Sequence, residues 1–378
     1  MSGDTTGQER GPRLLRFAVV GCGVIGQQHA KVITGLAGAQ FTVAVDEIEG
    51  TAQRLAAAYG ATPVTKLEDA LARDDVDAVA ICTPSGDHAQ PAITALRAGK
   101  HVVVEKPVDI SLEAAARLAA AEADSPGVVT VISQHRYDPA SRAVHEAVRD
   151  GRFGNLTSGL ATVAWWRSQS YYDSGAWRGT WDLDGGGALM NQSIHTIDLL
   201  VWMLGRPVEV SAYSACLAHD GIKVEDTAVA IVRFENGALG VVHGTTAAYP
   251  GLSARLQIHG TRGSAIIDDD RLEYFHANPI GSDSEAPAYG AGSSSNQAAL
   301  LLPEPSDGTD GSAGADPAAL SNAHSLQYAD FIDAVRSERS PQVTIKDAAK
   351  TLAVVLAIYR SASEGRPVSV LQPDVANS

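Results

Sequence analysis

A group of glycines near the start of the chain constrains its fold more than any other feature of the sequence. In the segment AVVGCGVIGQQHA (18–30), Gly21, Gly23 and Gly26 follow a short apolar run and open a helical stretch. Gly21 permits a tight turn, Gly23 lets the backbone approach a ligand, and Gly26 allows the helix to pack closely on the strand. The spacing therefore predicts the first strand, turn and helix of an α/β sheet.

The alternation of strands and helices continues to about residue 135. Apolar runs separated by helices are typical of a parallel sheet that is covered on both faces. We therefore predict an N-terminal α/β domain over residues 15–137, with strands at 16–20, 41–45, 77–82, 101–105 and 128–133.

A different pattern follows this first domain. A strand predicted at 156–166 leads into a helix, and long strands then succeed one another from about 208 to 276. Asn236-Gly237 is a turn signal between two of them. Strands in direct succession indicate an antiparallel or mixed sheet, so residues 138–378 are predicted to form a second, α+β domain.

Two segments are predicted to lack regular structure. Residues 1–14 are polar and are expected to form a disordered tail. Residues 278–320 are rich in Gly, Ser, Pro and Asp, which indicates a flexible surface insertion. Two helices, near 322–337 and 346–363, are predicted to close the chain.

The charge and the cysteines exclude several classes of protein. The net charge of −15 argues against a nucleic-acid partner, because phosphate binding needs clustered Lys and Arg. No apolar run reaches about 18 residues, so we expect no membrane span and no membrane partner. Cys22, Cys82 and Cys216 are far apart and lack metal-ligand spacing, so no metal site is expected. A cytoplasmic protein with buried free thiols is the simplest interpretation.

An acidic residue completes the glycine motif. Asp46 lies 20 residues after Gly26, at the end of the second predicted strand, where it can bind both ribose hydroxyls of an adenosine. Its charge, with that of Glu47, would repel a 2′-phosphate, so NAD is expected rather than NADP. The alternative is a glycine turn beside a surface aspartate. The predicted contacts with the dinucleotide in this region are Gly21, Gly23, Val24, Ile25, Gly26 and Asp46.

Polar residues interrupt two further apolar elements. In GGGALMNQSIHTIDLLVWML (185–204), ideal helical spacing places His195 about 40° and Asp198 about 20° to either side of Asn191, so the three share one stripe. In HVVVEKPVD, Glu105 and Lys106 end an apolar strand, and ligands bind at that edge of doubly wound sheets. The alternative for Lys106 is an ordinary lysine at a strand end.

Together these motifs resemble the Gfo/Idh/MocA family of oxidoreductases, which includes inositol, sugar and nucleotide-sugar dehydrogenases. The resemblance covers about 15–276 and 322–370, through the stretches GCGVIG, ICTPSGDHAQPAITALRAGKHVVVEKP, GGGALMNQSIHTIDLL and ADFIDAVRSERSP. It implies an NAD-binding Rossmann domain joined to an open-faced mixed sheet, with the active site between them. It also implies a homodimer or homotetramer, because the open sheet face of the family usually pairs with another subunit.

The resemblance assigns roles to particular residues. Lys106 and His195 would flank the reacting carbon, and the polar stripe would face the cleft. Asp198 would hold the His195 ring, the alternative being a core histidine that Asp198 satisfies. The residues implied to lie along the cofactor are Thr83, Pro84, His88 and Glu105. Separately, the stretch QHRYDP (134–139) leads us to expect Gln134 or Arg136 beside the nicotinamide.

One position departs from the family's inositol dehydrogenases. They carry Asp four residues before the histidine, and this chain has Asn191. Asn cannot titrate, although it can donate to and accept from a hydroxyl, so proton transfer falls to Lys106 and His195. A lysine that acts as a base needs its pKa lowered from about 10.4 by about three units, which burial and a positive nicotinamide favour. The stretch LMNQxIHTIDL resembles a branch that acts on sugars and nucleotide-linked sugars.

A loop rich in aromatic and cationic residues precedes the polar stripe. All five tryptophans fall within 165–202, and WWRSQSYYDSGAWRGTWD begins this region. Aromatic faces suit the C–H faces of sugars, and guanidinium groups suit a carboxylate or phosphate. The alternative is that these aromatics pack the sheet or a subunit interface. The predicted substrate contacts are Lys106, Trp177, Arg178, Asn191 and His195.

The sequence therefore predicts an NAD-dependent dehydrogenase of a small sugar, cyclitol or sugar derivative. A redox glycosidase is one alternative, in which bound NAD oxidises a sugar transiently during glycosidic cleavage. A non-catalytic regulator that senses dinucleotides is another. The presence of both Lys106 and His195 argues against the regulator, because a sensor does not need a proton-transfer pair.

Overall fold

The structure is a computed structural model and describes residues 14–278, 296–302 and 321–372. Its first sheet has six parallel strands in the order β3-β2-β1-β4-β5-β6, which confirms the predicted α/β class. The strand Thr62–Val64 was not predicted, because it is short and carries a proline, which is tolerated at a sheet edge. The strands are β1 (Leu15–Val20), β2 (Ala39–Val45), β3 (Thr62–Val64), β4 (Ala78–Ile81), β5 (His101–Val104) and β6 (Val129–Val131).

Helices cover both faces of this sheet. Successive residues of β1 point to opposite faces, so Ala18 and Val20 join one buried apolar cluster while Phe17 and Val19 join another. Because all six strands are parallel, their carboxyl ends lie along one edge. The helices of this part are α1 (Val24–Gly35), α2 (Glu49–Tyr59), α3 (Leu67–Leu71), α4 (Ala89–Arg97) and α5 (Leu112–Ala123).

A second sheet of eight strands follows helix α6 (Pro139–Arg149). It is mixed and mostly antiparallel, with β7 and β10 as its parallel pair, which confirms the predicted class of the C-terminal part. The order is β13-β12-β11-β7-β10-β9-β8-β14. The strands are β7 (Leu156–Ala164), β8 (Pro207–Ala215), β9 (Thr227–Phe234), β10 (Leu239–Thr245), β11 (Ala254–Gly260), β12 (Gly263–Asp268), β13 (Arg271–Ala277) and β14 (Val368–Ser369).

One face of the second sheet is covered and the other is open. Residues of β9 alternate strictly between buried and exposed, as expected of a sheet with one solvated face. Helix α8 packs against β7 and β11, and α11 packs against β8. The remaining helices are α7 (Gln169–Asp173), α8 (Ile194–Leu204), α9 (Ala298–Leu301), α10 (Ser321–Arg336) and α11 (Ile345–Glu364).

Helix α10 returns to the first sheet, although it lies far along the chain in the part predicted as the second domain. Tyr328 and Phe331 are buried against Phe17 of β1, with ring centroids 5.6 Å and 6.2 Å apart. The C-terminal part therefore contributes to the core beneath the glycine turn. The boundary between residues 137 and 138 stays a prediction.

The segments predicted to lack structure fall mostly outside the described residues. This holds for residues 1–13 of the expected tail and for most of the expected insertion at 278–320. Within that insertion, residues 296–302 are described and include α9, and Gln297 N donates to Phe275 O over 2.6 Å. This short piece is anchored to β13 and differs from the flexible segment expected there.

Among the helices of the described ranges, none combines the length and the apolar character needed to cross a bilayer.

We expect Phe331→Ala to lower the free energy of unfolding by about 3–5 kcal/mol, because the ring is fully buried and its removal leaves a cavity. Leu326→Ala, at an exposed position of the same helix, is the matched control and should cost less than about 1 kcal/mol. Chemical denaturation of both variants measures the difference. Equal losses would contradict the docking of α10 on the first sheet.

Candidate active site

A large cleft lies between the carboxyl edge of the first sheet and the covered face of the second. Its volume is about 1490 Å³. Pockets for one small ligand usually measure about 300–1,000 Å³, so this cleft has room for a cofactor and a substrate together. Residues from the glycine turn, from the Glu105-Lys106 stretch and from the loop after β7 all line it.

The glycine turn has the geometry that a dinucleotide requires. Gly21 has φ +86°, and a Cβ there would lie 2.5 Å from the carbonyl oxygen of Cys82. A Cβ on Gly26 would lie 1.9 Å from the carbonyl oxygen of Gly21, so only glycine allows this packing. A Cβ on Gly23 would meet nothing within 4 Å, which leaves that backbone open to a ligand. The N-terminus of α1 carries no side-chain cap, so its N–H groups remain available for phosphate oxygens.

Asp46 lies at the end of β2 and lines the same cleft. Its carboxylate accepts hydrogen bonds from Cys22 N and Ile48 N, both over 2.9 Å. These bonds fix the carboxylate beside the glycine turn. Glu47 follows it, exposed and also lining the cleft, so two negative charges lie at this end.

The loop after β4 is tied to the turn that follows Glu105 and Lys106. Both ring nitrogens of His88 lie within hydrogen-bond distance of carbonyl oxygens, Pro107 O at 2.6 Å and Thr83 O at 2.8 Å. Thr83, Pro84 and His88 all line the cleft, as the resemblance implied. The Lys106–Pro107 peptide bond is cis.

Glu105 is buried and held by residues that sequence reasoning missed. Its Oε1 lies 2.7 Å from His29 Nε2, and His29 Nδ1 lies 2.6 Å from the hydroxyl of Tyr328. Its Oε2 accepts from the backbone N of Lys106 over 3.0 Å. Burial opposes ionisation, but hydrogen bonds from His29 and His324 hold the pKa of Glu105 well below its usual range. A carboxylate thus orients the backbone at Lys106.

Lys106 reaches across the cleft to Asn191, the first residue of the predicted polar stripe. Its Nζ donates to Asn191 O over 2.9 Å and to Asn191 Oδ1 over 3.3 Å. Asn191 Nδ2 in turn donates to Asp184 Oδ1 over 2.7 Å. Burial lowers the pKa of Lys106, against the opposing effect of Glu105 and Asp184. Asp184 was missed, although a polar residue directly before three glycines was a signal of a constrained turn.

The structure corrects the expected partner of His195. Asp198 instead accepts two hydrogen bonds from Arg136, each of 2.7 Å, and one of 2.8 Å from Thr351 Oγ1. A buried, bidentate guanidinium is a stronger partner for a carboxylate than an imidazole. Asp198 is therefore wrong as the residue that holds His195. Arg136 does not line the cleft, but Gln134 does, and its buried Oε1 has no hydrogen-bond partner among the described residues.

The segment that carries Asn191, His195 and Asp198 is a regular α-helix only in part. Residues Ala188–Ser193 form a π-helical turn, and α8 begins at Ile194. The ideal angle between Asn191 and His195 therefore does not apply. Both residues still line the cleft, as predicted.

The neighbour of His195 is a second histidine that sequence reasoning missed. The rings of His135 and His195 meet edge to face, with centroids 5.1 Å apart. His135 Nδ1 lies 2.8 Å from Asp138 Oδ2 and 2.9 Å from Asp270 Oδ1, at the turn between β12 and β13. Burial alone would lower the pKa of His135, but the two carboxylates raise this pKa to about 10.

His195 itself is pushed towards its neutral form. Burial lowers the pKa of His195 well below its usual value, and the positive charges of Lys106 and His135 act in the same direction. A neutral imidazole can accept a proton or a hydrogen bond. The arrangement thus keeps an acceptor next to Lys106 at neutral pH.

Part of the aromatic loop lines the cleft, and Trp181 is exposed at the surface. Trp165, Trp177 and Arg178 line the cleft, and the guanidinium of Arg178 lies 4.6 Å from the ring of Trp177. Trp181 packs on Tyr359, with ring centroids 5.2 Å apart. The position of Trp177 and Arg178 agrees with their predicted role as substrate contacts, which stays a prediction.

Trp202 packs away from the cleft. It stacks on His145, with ring centroids 3.6 Å apart, and belongs to the packing around α6 and α8. The side chain is half-buried against the core cluster and does not line the cleft.

Both parts of the chain match known protein families. Residues 15–133 match the family described as an oxidoreductase family with an NAD-binding Rossmann fold. Residues 141–266 match the GFO/IDH/MocA C-terminal domain.

Individual relatives support this over most of the chain. The chain is 30% identical to inositol 2-dehydrogenase of Rhizobium meliloti (strain 1021) over 68% of this chain and 76% of the relative. It is 27% identical to scyllo-inositol 2-dehydrogenase (NAD(+)) of Bacillus subtilis (strain 168), over 94% and 96%. The crystal structure of the WlbA dehydrogenase from Bordetella pertussis, in complex with NADH and UDP-GlcNAcA, has a TM-score of 0.82 and 32% identity, covering 95% of this chain and 98% of that one. The chain therefore belongs to the GFO/IDH/MocA family of oxidoreductases with an NAD-binding Rossmann fold.

Proposed function

We propose that the protein is an NAD-dependent dehydrogenase that oxidises a secondary hydroxyl of a sugar, cyclitol or sugar derivative, or reduces the matching ketone. One observation carries the proposal. Lys106, from the edge of the first sheet, and His195, from the helix on the second, line one cleft with the glycine turn. A lysine and a histidine at the ligand-binding edge of a dinucleotide fold support a role for them in proton transfer. The relatives named above act on inositols or bind a nucleotide sugar, which supports the substrate class.

The residues around the glycine turn suit NAD. When bound, NAD supplies a nicotinamide ring that accepts or donates a hydride. Gly21, Gly23 and Gly26 leave room for the pyrophosphate at the start of α1, and Asp46 offers its carboxylate to the ribose hydroxyls. The orphaned Oε1 of Gln134 suits an amide donor of the cofactor.

Lys106 and His195 would handle the proton between them. Neutral His195 accepts the proton of the substrate hydroxyl, or a hydrogen bond from it. The ammonium of Lys106 stabilises the negative charge that develops on the same oxygen. Asn191 holds the Lys106 side chain through its backbone and side-chain oxygens and can exchange hydrogen bonds with a neighbouring hydroxyl.

The proposed function includes a homo-oligomer formed through the open face of the second sheet. The strand register places Val241 beside Ile231, and Val229 beside Tyr213, all on that face and all exposed. Contiguous exposed apolar residues of this kind mark association surfaces. A second copy of the same face, in a homodimer or homotetramer, would bury them.

We further propose a cytoplasmic location. All three cysteines are free thiols. Cys22 and Cys82 are buried as expected, whereas Cys216 is exposed, so that expectation is wrong for Cys216. Free thiols are typical of a reducing compartment.

The first experiment is NADH formation at 340 nm with NAD or NADP and a panel of inositols, free sugars, sugar acids, glycosides and nucleotide sugars. We expect turnover with one of these groups. NAD retained through purification, with glycoside cleavage and no net NADH, would instead indicate a redox glycosidase. NAD that exchanges freely without any turnover would favour a dinucleotide sensor.

Lys106→Ala should reduce kcat by on the order of 10²–10⁴-fold, because the group that stabilises the reacting oxygen is lost. The dissociation constant for NADH, measured by fluorescence titration, should change little. Lys100→Ala is the matched control, since Lys100 donates to the carbonyl oxygens of Arg73 and Val76, which precede β4, and does not line the cleft. Turnover that survives in Lys106→Ala would refute the mechanism.

His135→Gln should change the pH dependence of oxidation. Removing the positive charge beside His195 raises the pKa of His195 towards its ordinary value, so the ring protonates at a higher pH than before. The acid limb of kcat/KM should then move up by about one pH unit. His259→Gln, on β11, is the control and should leave the profile in place. An unmoved limb in His135→Gln would exclude this electrostatic role.

Asp46→Asn should weaken the preference for NAD. The amide keeps the shape of the side chain but removes the charge that repels a 2′-phosphate. We expect the ratio of kcat/KM for NADP to that for NAD to rise at least about tenfold, from steady-state kinetics with both cofactors. Glu47→Gln should raise this NADP-to-NAD ratio less, because the Glu47 side chain is exposed to solvent, which screens its charge. A ratio unchanged in both variants would show that neither charge selects the cofactor.

A further inference from the structure

Positive charge gathers in the substrate end of a cleft that belongs to an acidic chain. Arg167 and Arg178 line the cleft together with Lys106, although the net charge of the chain is −15. Each of the two guanidinium groups lowers the pKa of Lys106, and Arg178 also lowers that of Arg167. Three cations near enough to repel one another have an electrostatic cost, which a negative ligand would offset.

The carboxylates of this region are engaged elsewhere. Asp184 accepts from Gly179 N over 2.8 Å and from Asn191 Nδ2 over 2.7 Å, and Asp270 pairs with His135. Within the ranges that the structure describes, the side chain of Arg178 hydrogen-bonds to a neutral hydroxyl and forms no ion pair. Asp184 acts on Arg178 only at longer range, so the described residues bring this guanidinium to the cleft without an anionic hydrogen-bond partner.

Both guanidinium groups are held in place before any ligand arrives. Arg178 lies 4.3 Å from the ring of Tyr171 and 4.6 Å from that of Trp177, and it donates to the Tyr171 hydroxyl over 2.7 Å. The same hydroxyl accepts from Gln192 Nε2 over 2.8 Å, and Gln192 Oε1 accepts from Arg167 over 2.9 Å. Stacking and a shared tyrosine fix the direction of both forks, which lowers the entropy lost when they bind a ligand.

We propose that the substrate is an anionic sugar, whose carboxylate or phosphate binds Arg178 and Arg167 while the hydroxyl to be oxidised lies at Lys106 and His195. A guanidinium has five N–H donors, and the contacts above use one of those of Arg178. A carboxylate or phosphate binds such a fork through two parallel charge-assisted hydrogen bonds. A neutral sugar would offer the remaining donors of Arg178 no charged acceptor. The proposal rests on the dehydrogenase function given above and narrows its substrate.

The first test compares matched substrates on the wild-type enzyme with NAD. Two pairs differ in a carboxylate, D-glucuronate with D-glucose and D-galacturonate with D-galactose. UDP-glucuronate, UDP-glucose and glucose 6-phosphate, which all carry phosphate groups, are added outside the pairs. We expect kcat/KM to be at least about tenfold higher for the charged member of the productive pair. Its KM should rise with added NaCl, because salt screens the interaction. Equal rates for charged and neutral members, without a salt effect, would overturn the proposal.

The panel also separates the sources of negative charge. Preference for glucuronate or galacturonate over the parent sugar assigns the site to a carboxylate. Preference for glucose 6-phosphate, or equal use of both UDP-sugars, assigns it to a phosphate or pyrophosphate.

The second test uses variants of one residue. Arg178→Gln should lower the ratio of charged to neutral kcat/KM by on the order of 10- to 100-fold, mainly through KM. Arg178→Lys should restore part of the ratio, because it keeps the charge but not the fork. Arg149→Gln, an exposed arginine on α6, is the control and should leave the ratio unchanged. A ratio that Arg178→Gln does not alter would mean that this guanidinium only packs between the aromatic rings.

A binding measurement separates failure of this inference from failure of the dehydrogenase function. The thermal midpoint of the NADH-loaded protein is followed with glucuronate, glucose and inorganic phosphate. A rise with the anions in the wild type that is lost in Arg178→Gln supports the anion site even if no sugar is turned over. No rise with any anion, and no charged substrate preferred, would overturn the proposal whether or not neutral sugars are oxidised.

Discussion

The rest of the structure depends on how closely helix α1 approaches strand β1. A Cβ on Gly26 would lie 1.9 Å from the carbonyl oxygen of Gly21, and one on Gly21 would lie 2.5 Å from that of Cys82. These contacts set the turn at the carboxyl edge of the first sheet, where the cleft opens. They also direct the uncapped N-terminus of α1 and the open backbone of Gly23 towards that cleft.

The second half of the site is fixed by a buried carboxylate just before strand β9 of the other sheet. Glu225 accepts from Gly187 N over 2.9 Å and from Leu189 N over 2.8 Å, so it holds the first residues of the π-helical turn. Burial raises the pKa of Glu225 to about 7. A Cβ on Gly187 would lie 1.8 Å from the carbonyl oxygen of Glu225, which explains why a glycine stands there. The turn presents Asn191 to Lys106, and the helix after it presents His195.

The polar and charged groups of the site come from both sheets and hold one another in place. Lys106 is oriented by Glu105 on its own side and held by Asn191 on the other. Burial keeps His195 neutral, aided by the charges of Lys106 and His135. His135 keeps its charge because Asp270 reaches it from the turn between β12 and β13. Lys106, His135 and His195 belong to separate sequence motifs, but in the structure their charges act on one another.

Much of this protein was determined by the sequence alone, because the signals are local. Hydrophobic runs and glycine spacing predicted both fold classes and the dinucleotide turn, and the family resemblance pointed to the lysine and histidine that line the cleft. Short or edge elements such as Thr62–Val64 were missed, since a few residues with a proline carry little periodic signal. The partners of buried charges were decided only by the tertiary structure. Arg136 pairs with Asp198, and the ring of His135 lies against that of His195. Several residues distant in sequence could pair with each charge, and the packing of the fold decides which of them makes the contact.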